Sequence, residues 1–335
     1  MNGRLRVIRA GPGETIQDAG RYGYLRYGIV ASGPMDWIAF SVANRALGNP
    51  EDAASIEISL AGIEIVCEDA PLLIAFAGGG FVWERDGSRL PPAAAIALRP
   101  GEHVQARAGA WGTWTYLAVA GGIDVPQVLG SRSTYARFAI GGFEGRALRP
   151  DDVVCARDRI NEGVAVVEGT LRTSLLERSS APIRVVLGPQ DDYFTSSARD
   201  TFFSERYAIS GRFDRMGYWL EGPKLGHQAG FDIVSDGIPL GAIQVPGSGQ
   251  PVILMADHQA TGGYPKLGTL TRADVGRFAQ HRPGEYVRFT PCAVDAAHRA
   301  LRDSYAALDQ TSVLASDRIL GSSNLISGVV DGYGS

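Results

Sequence analysis

The chain has 335 residues, 45% apolar and 20% charged, with 43 Gly and 18 Pro. That length suits two packed domains better than one, and the turn-rich composition fits a β-rich protein rather than a helical one. A balance of 32 basic to 36 acidic residues, with no basic run, speaks against a nucleic-acid partner. The three cysteines, Cys67, Cys155 and Cys292, form no CxxC pair, so neither a zinc site nor a disulfide framework is expected. There is no apolar stretch of signal-peptide type, and no run approaches the ~20 apolar residues needed to cross a bilayer. A soluble, cytoplasmic protein with no membrane contact is therefore expected.

In chain order, residues 5–8 read as a short strand. Residues 37–47 predict a helix with Asp36 at the N-cap and Gly48-Asn49-Pro50 as the stop. Ile56, Ile58 and Leu60 alternate with polar residues, and the pattern resumes out of phase at Ile63 and Ile65. That break predicts a tight turn or bulge. Residues 72–76 are a continuous apolar run ending at three glycines, and residues 113–119 are rich in β-formers.

The stretch 156–182 is polar and aperiodic, which places a domain boundary near 170–180. Residues 183–187, 243–245 and 252–255 predict further strands. Phe194, Ala198 and Phe202 at four-residue spacing predict a short helix. Thr271 and Asp274 resemble a capping box that opens a helix running to about residue 280. A last helix over about 296–308 should bury Leu301, Tyr305 and Leu308. The Ser- and Gly-rich end from 311 should be mobile. The expected division is 1–175, 176–310 and a tail, 311–335.

Common active-site spellings fail. Ile16 stands where a dinucleotide fingerprint needs Gly, and neither GxSxG nor HExxH occurs. The only lysines are Lys224 and Lys266. Neither follows Gly, as a phosphate loop requires, and neither follows Met, as biotin attachment usually does.

Four polar segments beside strand ends concentrate Gly, Arg, Asp and amide side chains. They are 15–21 with 32–36, 130–135, 188–190 with 214–217, and 241–246 with 257–265. Singly, each has a plain structural reading. Asp36 caps a helix, Arg132 pins a loop through carbonyls, Asp214 and Arg215 form a local ion pair, Gly262-Gly263 turns a hairpin, and His258 is structural.

Together these segments resemble a known family. The matching pieces are QDAGRYG (17–23), SGPMD (32–36), AN and LGNP (43–50), LAVAGGIDVPQVLGSRSTY (117–135), GPQ (188–190), DRMG (214–217), GAIQVPGSGQP (241–251) and TGGYP (261–265). Their order is similar to the KipA-type family, also called the allophanate-hydrolase-subunit-2 or carboxyltransferase A/B family. The likeness runs from about residue 5 to 290. Departures are His258 where the family has Arg, Ala260 for Thr, Phe213 for a small polar residue and Trp219 for a frequent Arg.

The resemblance implies a mainly β fold of two cyclophilin-like β-barrel domains with a few short helices. It implies a role as the C subunit of an ATP-dependent 5-oxoprolinase, which opens 5-oxoproline to glutamate. The chain would act with a KipI/PxpB-type partner (subunit-1 family) and a PxpA/LamB-type subunit, be inactive alone, and meet ATP at the level of the complex. Alternatives are the carboxyltransferase component of a urea or amide carboxylase, with biotin carried elsewhere, and a KipA-like antagonist of a KipI-type kinase inhibitor.

Such chemistry on a planar amide needs cations for an anion, amide and hydroxyl groups for orientation, and a proton acceptor. Within the matched motifs, Asp36, Asp257 and His258 are the candidate catalytic groups. Arg132 and Arg215 are candidate anion anchors. Gln190 and Gln244 are candidate amide readers, and Tyr135, Thr261 and Tyr264 complete the candidate substrate contacts. No metal is expected.

Overall fold

The structure is a computed structural model that describes residues 3–157 and 169–315. The first half forms two sheets. One has six strands in the spatial order Val153–Cys155, Arg4–Ala10, Ile63–Cys67, His103–Arg107, Val82–Arg85, Ser88–Arg89. The other begins Thr15–Gln17, Ser55–Ile58, Thr115–Val119, Leu72–Ala77, Ala94–Leu98 and ends with Gly169–Arg172 and Ser312–Ala315. Leu5, Val7 and Ile65 of one sheet meet Ile74, Phe76 and Leu117 of the other in a shared core. Phe76 stacks on Trp83 there, with ring centroids 4.2 Å apart. Each such large side chain contributes about 2 kcal/mol by leaving water.

All six residues of Leu72–Ala77 are buried, because both faces of the second sheet are covered. Ile74 and Phe76 face the first sheet, whereas Leu73, Ala75 and Ala77 join a second core with a helix and the other half of the chain. This accounts for a strand that reads as unbroken apolar sequence rather than as alternation. The predicted phase break is a turn between Ser55–Ile58 and Ile63–Cys67.

Helix α1 (Trp37–Ala46) begins at the Asp36 cap, as expected, and is buried on nearly every side. Three further helices follow in the described residues: α2 (Ser196–Ser204), α3 (Arg272–Ala279) and α4 (Val294–Asp309). The second half closes as a seven-stranded barrel in the order Ile183–Leu187, Lys266–Leu270, Ala242–Gln244, Val252–Leu254, Gly217–Glu221, Arg206–Phe213, Tyr286–Pro291. Its closing pair, Ile183–Leu187 with Tyr286–Pro291, is parallel, and Phe202 of α2 stacks on Phe289 at 4.6 Å. The mainly β fold with few helices is as implied, and the two halves differ in closure.

Three details depart from the sequence reading. The Thr271 side chain makes no cap bond: the Asp274 N–H goes to the Thr271 carbonyl at 2.9 Å, and the Asp274 carboxylate is taken by the Arg184 backbone N–H, Nε and Nη2 at 2.9, 2.7 and 2.8 Å and by Arg277 Nη1 at 2.7 Å. On α4 only Leu308 is buried, and Tyr305 is half-exposed against Trp37, with centroids 5.1 Å apart. The segment expected to be a mobile tail opens with the strand Ser312–Ala315, which pairs antiparallel with Gly169–Arg172. The open edge of that strand offers free backbone groups, and the β-forming Val313-Leu314 supplies a run able to take them. Residues 316–335 lie outside the described residues.

The halves are joined through Gln280, just after α3. Its Oε1 accepts from the backbone N–H groups of Thr113 and Trp114 at 2.9 and 3.1 Å. Its Nε2 donates to Asp36 Oδ2 at 2.8 Å and to the Trp114 carbonyl at 2.9 Å. Truncation would strand buried partners in the first half and loosen its hold on α3. Gln280→Ala is therefore expected to lower stability by about 2 to 4 kcal/mol, read from the urea midpoint at unchanged m-value.

Candidate functional site

The matched motifs converge where the halves meet. Segment 32–36 leads into α1 through Ser32 (φ 53°) and Gly33 (φ 84°). A side chain at Gly33 would press on the Ala19 carbonyl at 3.2 Å, so close packing and the left-handed backbone both require glycine there. Asp36 is the helix cap. Its Oδ1 accepts from the Ile38 and Ala39 N–H groups, each at 3.2 Å, and Oδ2 from Gln280. Burial pushes its pKa up, against the pull of Gln280 and the helix N–H groups.

Arg215 does not pair with Asp214. Asp214 instead accepts the backbone N–H groups of Met216 and Gly217 at 2.7 and 3.1 Å. The Arg215 guanidinium holds Asp257 with two bonds, Nε to Oδ2 at 2.8 Å and Nη2 to Oδ1 at 3.0 Å. Nη1 bonds Glu57 Oε1, and Nη2 also reaches the Gly33 carbonyl at 2.8 Å. Burial opposes the charge on Arg215, but Asp257 and Glu57 outweigh it and hold the guanidinium protonated.

Glu57 is the residue sequence reasoning missed. It is fully buried, and its Oε2 accepts from the Met35 N–H at 2.8 Å and the Tyr116 hydroxyl at 2.7 Å. Burial raises its pKa, with Arg215 pulling the other way. Its cross-strand pairing with Tyr116 puts both side chains on the face that meets the second half.

The loop 130–135 joins this junction from the first half. Asp18 Oδ1 accepts from the Ser131 and Ser133 hydroxyls at 2.6 and 2.7 Å, and its Oδ2 from the Arg132 N–H. Arg21 donates to the Val128 and Ser133 carbonyls at 2.9 and 2.8 Å. The motif pieces 17–23 and 130–135 are thus each other's partners. Arg132 Nε donates to the Val125 carbonyl at 3.1 Å, and no carboxylate of the described residues pairs with its side chain. Tyr135 is buried, and burial, then the charge of Asp257, raise its phenol pKa.

From Asp257 the chain runs to a second cluster on the barrel. His258 Nδ1 faces the Gln259 carbonyl at 2.8 Å. That oxygen can only accept, so Nδ1 carries the proton and Nε2 keeps its lone pair. Burial pushes the imidazole pKa down. Gln259 Nε2 reaches Gln244 Oε1 at 3.5 Å, and Gln244 Nε2 donates to the Tyr264 carbonyl at 3.3 Å. Gln190 Oε1 accepts from the Lys266 N–H at 3.0 Å, and its Nε2 donates to Asp236 Oδ2 at 3.1 Å. The ammonium of Lys266, unassigned from sequence, meets the same oxygen at 2.9 Å. Thr261 and Tyr264 are exposed on the rim.

Asp36, Arg215 and Asp257 therefore gather at the junction, while Gln190 and Gln244 gather on the barrel beside Lys266. The segment 257–266 connects the two groups. Among the described residues no three His, Cys, Asp or Glu side chains come together as a metal site would need, and no helix is long and apolar enough to cross a membrane. A groove of about 570 Å³ beside Trp111 and Leu171 holds none of these side chains.

The family model described as "Carboxyltransferase domain, subdomain A and B" matches residues 27–291. The chain belongs to this family. It is 33% identical over 306 residues to the 5-oxoprolinase C subunit of Escherichia coli (strain K12), covering 91% of this chain and 97% of that one. It is 32% identical over 322 residues to urea amidolyase of Saccharomyces cerevisiae, covering 90% of this chain and 17% of that protein. The crystal structure of the K. lactis urea amidolyase matches with a TM-score of 0.83 at 28% identity, over 92% of this chain and 20% of that one.

Two outcomes are expected from this geometry. Arg215→Met leaves Glu57 and Asp257 buried and unpaired, and should cost about 3 to 5 kcal/mol in urea unfolding. The unfolded chain protonates His258 near the ordinary pKa of about 6.5, the folded chain only at lower pH. Stability should therefore fall as pH drops below about 6.5, and His258→Gln should flatten that limb of the pH–stability curve.

Proposed function

We propose that this chain is the C subunit of an ATP-dependent 5-oxoprolinase, a cytoplasmic assembly that hydrolyses the cyclic amide 5-oxoproline to glutamate. The observation that carries the reading is coverage. The chain and its bacterial 5-oxoprolinase relative span each other almost end to end, whereas it spans less than a quarter of the urea amidolyases. A KipI/PxpB-type and a PxpA/LamB-type subunit would complete the assembly, and the chain would be inactive without them.

The barrel cluster suits a small amide. Gln244 offers an amide group that can both donate and accept toward a lactam edge, with the Thr261 and Tyr264 hydroxyls on the rim. His258 Nε2, neutral and unprotonated, is a proton acceptor at neutral pH. Arg215 is committed to Glu57 and Asp257, so of the two candidate arginines Arg132 is the one left to meet an anion. Asp36 and Asp257 then act as structural carboxylates that fix α1 and Arg215.

ATP supplies the driving force for opening an unstrained lactam when it is bound to the complex. The N-terminus of α1 is not its phosphate site, because the Asp36 carboxylate already takes the helix N–H groups. A second reading, carboxyl transfer to urea or another amide, is favoured by the match to the urea amidolyase structure. Biotin would then arrive on another chain or domain.

Reconstitution tests both. The chain is combined with its subunit-1 partner and a PxpA/LamB-type homologue, and glutamate formation from 5-oxoproline and ATP is followed with each component omitted in turn. Activity that vanishes without this chain is the expected result. A folded but silent complex that instead carboxylates urea with carboxybiotin would overturn it. In the active complex, His258→Gln should lower kcat about 10²-fold or more, the usual contribution of a positioned base.

A further inference from the structure

Lys266 is one of two lysines in the chain, and the other, Lys224, is exposed. The Lys266 side chain is only 5% exposed, yet its carboxylate partner Asp236 is 52% exposed. Burying an ammonium is costly unless an anion meets it. Here the anion comes from a lightly held piece of chain. Among the described residues, Asp236–Gly237 is a two-residue strand paired only with Thr261–Gly262. Its flanks are tied by the Ile233 N–H to the Gly263 carbonyl at 2.8 Å and the Ile238 N–H to the Ala260 carbonyl at 3.1 Å. Residues 228–237 are exposed apart from the half-buried Ile233.

The donors, in contrast, are built into the barrel. Lys266 opens the strand Lys266–Leu270, and Gln190 is locked by accepting the Lys266 backbone N–H. Lys266 Nζ and Gln190 Nε2 converge on one oxygen, Asp236 Oδ2, at 2.9 and 3.1 Å. The Lys266 ammonium, then the Gly237 N–H, hold the Asp236 carboxyl below the usual range. Gln244 is the cross-strand partner of Lys266. The two side chains therefore share a face, with Cβ atoms about 5 Å apart. An ammonium with one amide, beside a second amide, matches a molecule that carries a carboxylate next to an amide ring.

We propose that Lys266 and Gln190 form the subsite for a substrate carboxylate, and that Asp236 fills it as a built-in stand-in until substrate displaces it. This deepens the 5-oxoprolinase reading and rests on it only for the choice of ligand, since 5-oxoproline has a carboxylate and urea has none.

With two lysines, ε-13C-lysine labelling gives two side-chain signals. The full-length chain, alone and with its subunit-1 partner, is titrated with 5-oxoproline, with glutarate, and with 2-pyrrolidone, the same lactam without a carboxylate. The Lys266 signal should move with the two carboxylates and not with 2-pyrrolidone, while Lys224 stays still. If the stand-in occupies the subsite about nine-tenths of the time, Asp236→Asn should tighten carboxylate binding about tenfold. Lys266→Gln should abolish it in calorimetry. Asp236→Ser serves if the Asn variant fails to fold.

Unchanged or weaker binding on removing the Asp236 charge, an equal response to 2-pyrrolidone, or no response in either sample would overturn the proposal. A Lys266 signal that answers carboxylates in a chain whose reconstituted complex lacks 5-oxoprolinase activity keeps the subsite and discards the enzyme reading. An active complex with a silent Lys266 does the reverse.

Discussion

The guanidinium of Arg215 is clamped between carboxylates from opposite halves of the chain, Glu57 on a first-half strand and Asp257 beyond a barrel strand. A buried ion pair of this kind adds little net stability, because desolvation offsets most of its attraction; its worth lies in permitting one arrangement and penalising others. Two of the three charges are also tied to backbone: the Gly33 carbonyl takes a bond from the Arg215 guanidinium and the Met35 N–H gives one to Glu57. The backbones of Arg215 and Asp257 are bonded to each other as well, the Arg215 carbonyl accepting from the Asp257 N–H. Displacing either half would expose three buried charges at once. The entry to α1 and the start of the segment 257–266 take their positions from that point.

Much of the fold is legible in the sequence because its signals are local. The α1 cap, the run at 72–76 and the break between Leu60 and Ile63 depend on neighbours a few residues away. Glu57 cannot be read that way. In the alternation of Ile56 and Ile58 it holds the outward position, which ordinarily means water. The outward face of this sheet is instead covered by α1 and the barrel, so the apparent solvent position is among the most buried in the molecule. Asp274 misleads in the same sense. The cap spelling is present, but Arg184 and Arg277 compete for the carboxylate, and two guanidinium partners outweigh a single backbone N–H.

The candidate site is legible as a set of segments and less so as a set of roles. Arg215 reads as an anion anchor, yet its anions are the protein's own. The likeness of 17–23 and 130–135 to the family has an architectural basis, since Asp18 and Arg21 bind the very loop that carries Arg132. Lys266 and Asp236 escape the sequence reading for different reasons. The lysine enters it only through the residue preceding it, and Asp236 belongs to a stretch with no periodicity.

The pairing of Ser312–Ala315 with Gly169–Arg172 has a consequence for how the molecule is made. During synthesis the chain emerges from its N-terminus, so the strand Gly169–Arg172 leaves the ribosome long before its final neighbour exists. Its outer edge must wait through translation of the entire barrel, open to any other strand that passes. The first half is thus the earlier part to be built and the last to be finished, and the nascent chain carries a vacant docking edge that only its own distal segment is meant to close.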